Sequence, residues 1–288
     1  GNGHNTAIGA SSQLNASTGE FNTSLGSLSM GAGVTTGDGN VALGYGSLLN
    51  STTASNNIAI GFESMRASSE ALYNVAIGFR SLYTNVEGDS NVAIGYDALR
   101  VFNPSNGSTY NTAVGHQAGV AMTTGTNNTL MGGEAGDSIT TGVQNVAIGR
   151  AALSTEDAGG GNVAVGSFAL RLQNYNGNAY NTAVGHDAGK TISTGIQNTM
   201  LGARSLQANT EGHSNVAIGY QALYTNVDGS RSVAIGTNAL LLQEPASAVE
   251  MHNVAVGYAA GYNLTTGVQN TLIGGLAGDD LQTGDNNV

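Results

Sequence analysis

The segment Gly185-His186-Asp187-Ala188-Gly189-Lys190-Thr191 ends as a phosphate-binding loop ends, with Gly, Lys and a hydroxyl side chain. A cradle of that kind needs four residues between its glycines, so that successive backbone N–H groups wrap the anion; this segment has three. The equivalent stretches after Gly115 and Gly257 lack the Lys, which reads as an accident of repetition. His116 and His186 share one motif position with Tyr45 and Tyr258. They are expected to pack as aromatic rings do; around a symmetry axis they would form rings able to hold an ion or water. The 19 Asp and Glu residues do not pair at recurring positions, so nothing marks the two carboxylates of a glycosidase. A polysaccharide-cleaving site assembled across stacked coils would leave no such spacing, and stays open as a minor alternative. Without Cys there is no thiolate nucleophile, no disulfide and no thiolate zinc site. Calcium-binding nonapeptides of the Gly-Gly-x-Gly-x-Asp type are absent. The Asn-x-Ser/Thr triplets at Asn15 and Asn263 follow from a chain rich in those residues. No catalytic residue, cofactor or metal is therefore expected, and the chain does not read as an enzyme.

Composition narrows the class further. Of 288 residues 44 are Gly, 2 are Pro, and only 9% are charged. So much Gly and so few Glu, Lys and Arg disfavour long helices. A hydrophobic share of 40% with little charge disfavours disorder. The net charge is −11, and the 8 Lys and Arg stand singly along the sequence, which argues against nucleic acid and anionic membranes as partners. No apolar run approaches the roughly 18 residues of a membrane helix. No membrane insertion is expected in this segment.

What would position any functional side chain is a repeat. A five-residue motif of Asn, a β-branched residue, a small residue, an aliphatic residue and Gly begins at residues 5, 22, 40, 57, 74, 91, 111, 128, 145, 162, 181, 198, 215, 232, 253 and 270, with Ser232 the one non-Asn start. Twelve of the sixteen spacings, counting the cut-off unit at Asn287, are 17 residues. The second residue is always Val, Ile or Thr, the fourth always aliphatic or Met, and the fifth always Gly. Three residues beyond that Gly stands Ala or Ser without exception.

β-branched residues suit a pleated strand, and alternation places the second and fourth side chains on one face and the third on the other. The third is Ala or Ser in thirteen units, so its face meets another backbone or another subunit closely. Seventeen residues are too few for a strand–helix–strand crossover. The expected fold is therefore all-β: one parallel β-solenoid or β-roll over residues 1–288, of about sixteen 17-residue coils. Asn91, Asn111, Asn145, Asn181 and Asn215 are expected to stack as a side-chain amide ladder. Gly95, Gly115, Gly149, Gly185 and Gly219 should close the strands where the backbone is crowded.

A longer period overlies the coil. The extended spacings precede Asn111, Asn181 and Asn253, giving a super-repeat of four coils, about 71 residues. In one slot of it the small third residue becomes Leu130, Met200 or Leu272, which suggests a periodic plug or a wider spot at an axis. Insertions in solenoids map to exposed loops. Segments 101–110, 171–180 and 241–252 are accordingly the best candidates for contact with another molecule.

The stretch Arg231-Ser232-Val233-Ala234-Ile235-Gly236 and its relatives from Asn91 and Asn215 resemble the coils of YadA-like trimeric autotransporter adhesin heads. The longer phrase from Asn215 to Leu223 is similar to repeats of phage tail-fibre proteins. The resemblance covers the whole chain and departs from the adhesin head in coil length. It implies a homotrimeric fibre with three β-rolls about a common axis, outside the cell, on a cell-surface appendage or a virion tail fibre. The function it implies is structural and adhesive, mediating attachment to a host- or cell-surface receptor or glycan. An alternative is a solenoid that binds ice or a glycan through its Thr columns.

Overall fold

The computed structural model describes residues 4–105, 107–245 and 247–288. Asn106 and Ala246, within two of the candidate contact segments, lie outside the described residues. The chain is an all-β parallel solenoid, with no helix among the described residues, dividing into two compact units, Gly1–Gln144 and Asn145–Val288. Eight three-residue strands lie in the first: Thr6–Ile8, Thr23–Leu25, Val41–Leu43, Ile58–Ile60, Val75–Ile77, Val92–Ile94, Thr112–Val114 and Thr129–Met131. Eight lie in the second: Val146–Ile148, Val163–Val165, Thr182–Val184, Thr199–Leu201, Val216–Ile218, Val233–Ile235, Val254–Val256 and Thr271–Ile273. All sixteen fall on positions two to four of the motif. Within each unit they pair in parallel with equal motif positions opposite one another, as Val163 opposite Thr182 or Ala93 opposite Ala113.

Three tight corners turn each coil, and most are not glycine. Leu99, Asp97 and Ser90 have φ of 49°, 54° and 61°, and their counterparts in other coils repeat these angles. The left-handed region costs an ordinary residue about 1–2 kcal/mol. Stacking offsets that cost, because corner amides bond to the neighbouring coil: Leu99 N–H donates to the Ala118 carbonyl at 3.1 Å and Asp97 N–H to the Phe79 carbonyl at 2.9 Å. The motif Gly is different in kind. Its φ lies between 124° and 143° throughout, and a Cβ at Gly149 would fall 2.6 Å from the Gly166 carbonyl. Backbone meets backbone there, so no side chain fits.

The strand faces are oriented so that the small third residue points inward. Ala42, Ala93, Ala147 and Ala217 are fully buried, as are the Leu residues at the opposite corner such as Leu99 and Leu223. The close neighbour of the small-residue face is thus the chain's own interior rather than another subunit. The second and fourth residues point outward, half-buried or exposed. Leu130, Met200 and Leu272 also point inward, at 0%, 0% and 6% exposure. They fill space left by corner glycines: a Cβ on Gly119 would lie 2.8 Å from Leu130 Cδ1, and one on Gly261 2.9 Å from Leu272 Cδ1. The periodic large residue is an internal plug.

Candidate functional site

The Asn column forms the expected ladder, with a bond pattern the sequence did not specify. Each side-chain Oδ1 accepts the backbone N–H of the next ladder residue: Asn111 N–H to Asn91 at 3.0 Å, Asn162 N–H to Asn145 at 3.1 Å, Asn215 N–H to Asn198 at 2.9 Å. The Nδ2 group then reaches a carbonyl fourteen residues ahead: Asn111 to Gly125 at 2.8 Å, Asn145 to Gly159 at 2.9 Å, Asn181 to Gly195 at 2.7 Å and Asn215 to Gly229 at 2.9 Å. These side chains are fully or almost fully buried, so each amide satisfies groups that water cannot reach.

Coils with an inserted loop depart from that pattern, because the carbonyl fourteen residues ahead has moved. Asn91 Nδ2 turns to the Asp89 carbonyl at 2.9 Å. The buried Asn162 Nδ2 has no hydrogen-bond partner. Ser232 has no amide at all, and Gln243 fills the gap, donating to Asn226 Oδ1 at 3.1 Å and accepting from Asn253 at 2.9 Å. The one break in the Asn column therefore sits where the second partner is lost. Gln173 serves the preceding inserted coil similarly, accepting from Asn181 at 2.7 Å.

Glu156 stands eleven residues after Asn145, in the slot of Asn209 and Asn226, and is fully buried. Its Oε1 accepts the Gly159 N–H at 2.9 Å, while Oε2 has no partner. Burial pushes its carboxyl from the ordinary 4.5 up to about 7, against the opposing pull of backbone hydrogen bonds led by Gly159.

The axial-ring candidates occupy different surroundings. In the first unit Tyr45, Phe62, Phe79, Tyr96 and His116 stack face to face, successive centroids 5.1–5.3 Å apart, with Tyr45, Phe62 and Tyr96 exposed. His116 ends that file as one more ring. In the second unit His186 meets Phe168 edge-on at 6.1 Å and lies 3.3 Å from Asp187. The segment that ends like a phosphate loop supplies no cradle, since Asp187 closes an ion pair with Lys190 at 3.2 Å.

Two of the contact segments line cavities. One of about 440 Å³ is bordered by Val86, Glu87, Asn103, Pro104 and Thr124, the other of about 260 Å³ by Glu211, His213, Asp228 and Glu250. Among the described residues no group of three or more His, Asp or Glu is placed to hold a metal ion. Among them, too, no helix is long and apolar enough to cross a membrane. No family model and no curated protein matches the chain.

The outward strand face went unread in the sequence. In the first unit the fourth motif residues form a column from Ile8 through Leu43, Ile60, Ile77 and Ile94 to Met131, with Val, Ile or Thr beside each. In the second unit the column runs from Ile148 through Leu201 and Ile218 to Ile273. Leu201 is 49% exposed and Ile273 70%. Neither column contains a charge. Alternation alone had shown that these side chains share a face; which face points inward is decided by how little volume the corners enclose.

Proposed function

We propose that the chain is a structural and adhesive fibre segment, the shaft or head of a surface appendage, that assembles with copies of itself. The carrying observation is the pair of uncharged aliphatic columns outside each unit. Soluble monomers rarely leave so continuous an apolar surface bare, and a second strand face of the same kind is its natural cover. The resemblance to YadA-like heads and tail-fibre repeats favours three copies, a location outside the cell and attachment as the task. The mechanism is mechanical. Inter-coil backbone bonds, corner amides and the Asn ladder act in parallel, and repeated weak contacts along the fibre add up through avidity.

Light scattering after size exclusion tests the assembly. The expected mass is near three times 28.9 kDa. A mass of one chain would overturn the reading. Placing Asp at both Ile94 and Ile218 should reduce the mass to a single chain while circular dichroism stays β-type.

Outward Thr pairs in register, Thr112 beside Thr129 and Thr182 beside Thr199, favour a second reading, a flat face for ice or glycan. Val and Ile interrupt the column elsewhere. Thermal hysteresis of freezing would support the ice version, and its absence removes it.

A further inference from the structure

The Lys and Arg residues are dispersed in sequence, yet stacking gathers half of them. Arg150, Arg171, Lys190 and Arg204 come from four successive coils of the second unit, out of 8 such residues in the chain. Three of them converge on one ring. The Arg150 and Arg171 guanidinium carbons lie 5.4 and 5.3 Å from the centroid of Phe168, and Lys190 Nζ lies 5.4 Å from it. His186 touches the same ring edge-on, and its carbonyl accepts the backbone N–H of Arg204 at 2.9 Å. Arg150, Arg171, His186 and Arg204 are exposed, and Phe168 and Lys190 half-buried.

The charge of this patch is not balanced from within. Asp187 pairs with Lys190 at 3.2 Å and lies 3.3 Å from His186. Among the described residues, Arg150, Arg171 and Arg204 form no ion pair with a carboxylate. Each cation is attracted by the ring, but three like charges around one ring repel one another, and an anion between them would relieve this. Guanidinium forks match carboxylate and sulfate oxygens in pairs.

We propose that Arg150, Arg171 and Lys190, arranged about Phe168, together with Arg204 on the next coil, bind an acidic glycan carrying carboxylate or sulfate groups. Coils step by about 4.8 Å, so the patch offers cations along a few sugar lengths rather than at one point. A nucleic acid fits less well. Such ligands draw on some 6–10 phosphate contacts, and a chain of net charge −11 repels a long polyanion beyond this short patch. The patch lies in the turns after the strands, outside the aliphatic columns. The inference rests only on the attachment half of the proposed function.

The test is calorimetric titration of the full chain at low salt with oligogalacturonate, dextran sulfate, inorganic phosphate and duplex DNA, with particle mass recorded on the same samples. Binding of either glycan is expected, with affinity falling linearly in log–log fashion as salt rises. The double variant Arg150→Gln/Arg171→Gln should weaken it by about tenfold or more. Arg80→Gln, in the first unit and paired with Glu63 at 2.9 Å, should leave it unchanged. The inference is overturned if neither glycan binds, if phosphate or DNA binds as well as both glycans, or if the double variant binds like the parent. Because mass is read separately, failure to bind is distinguished from failure to assemble.

Discussion

Met200 occupies space that Gly189 leaves open: a Cβ at Gly189 would stand 2.6 Å from Met200 Sδ and 3.0 Å from Ile192 Cδ1. In seven coils the exchange runs the other way, with Ala on the strand and Leu at the corner, as in Ala217 and Leu223. Large and small residues trade sides of one narrow interior. Met200→Ala should therefore cost about 2–5 kcal/mol through the cavity left behind. Gly189→Leu alone should also destabilise, by overpacking. The double variant restores the ordinary coil arrangement and should recover most of the loss. Urea unfolding of the three variants checks this, and losses that simply add would refute the exchange.

The ladder predicts unequal tolerance at chemically identical positions. Asn198 donates to the Gly212 carbonyl at 2.9 Å and accepts the Asn215 N–H. Asn198→Ser should cost about 1–3 kcal/mol by stranding a buried carbonyl. Asn162→Ser, where Nδ2 already lacks a partner, should cost less than half as much. Thermal melts of the two variants under one condition decide the matter.

Gln243 is expected to matter only because of its neighbour. Gln243→Leu should destabilise the natural chain, since Asn226 and Asn253 lose their bridge. Introducing Asn at Ser232 at the same time should reduce the penalty. A double-mutant cycle measures the coupling, and a value near zero would show that the glutamine bridge is incidental.

Glu156 makes stability depend on pH in a definite direction. Its folded-state pKa of about 7 lies above the ordinary 4.5, so the folded chain holds a proton that the unfolded chain releases. The contribution is full below about pH 4.5 and declines as pH rises towards 7. The loss is on the order of 3 kcal/mol. Glu156→Gln, which keeps a neutral acceptor at Oε1, should flatten this decline and stabilise the chain at pH 8. Unfolding free energies at pH 5 and pH 8 for both proteins test it.

Much of the fold could be read from the motif because its period is short and its columns strict. Every coil start falls immediately before a strand. The direction of the strand face could not be read so. Val92 and Ile94 are the larger residues, and size alone would place them inside. They face outward because the fully buried Leu99 and Leu82 already fill the interior. The basic patch was hidden for another reason. Arg150 and Arg171 are twenty-one residues apart, and only the stacked coils bring both to Phe168. Arg171 and Lys190 share one motif position, but Arg150 and Arg204 stand in two others, so no single column of the repeat announces the cluster.

The Oδ1 links of the Asn ladder run the same way, from an amide oxygen to the N–H of the coil that follows in sequence. No such link runs back. Each unit is therefore directional along its stack in the way that a zipper is: every regular ladder side chain reaches towards the coil that follows it, its Oδ1 to an N–H and its Nδ2 to a carbonyl. A coil turned end for end would run its strand antiparallel to its neighbour and take the ladder N–H away from the waiting Oδ1. Growth, strand exchange or grafting of coils between such arrays should succeed head to tail only, whatever the identity of the side chains outside.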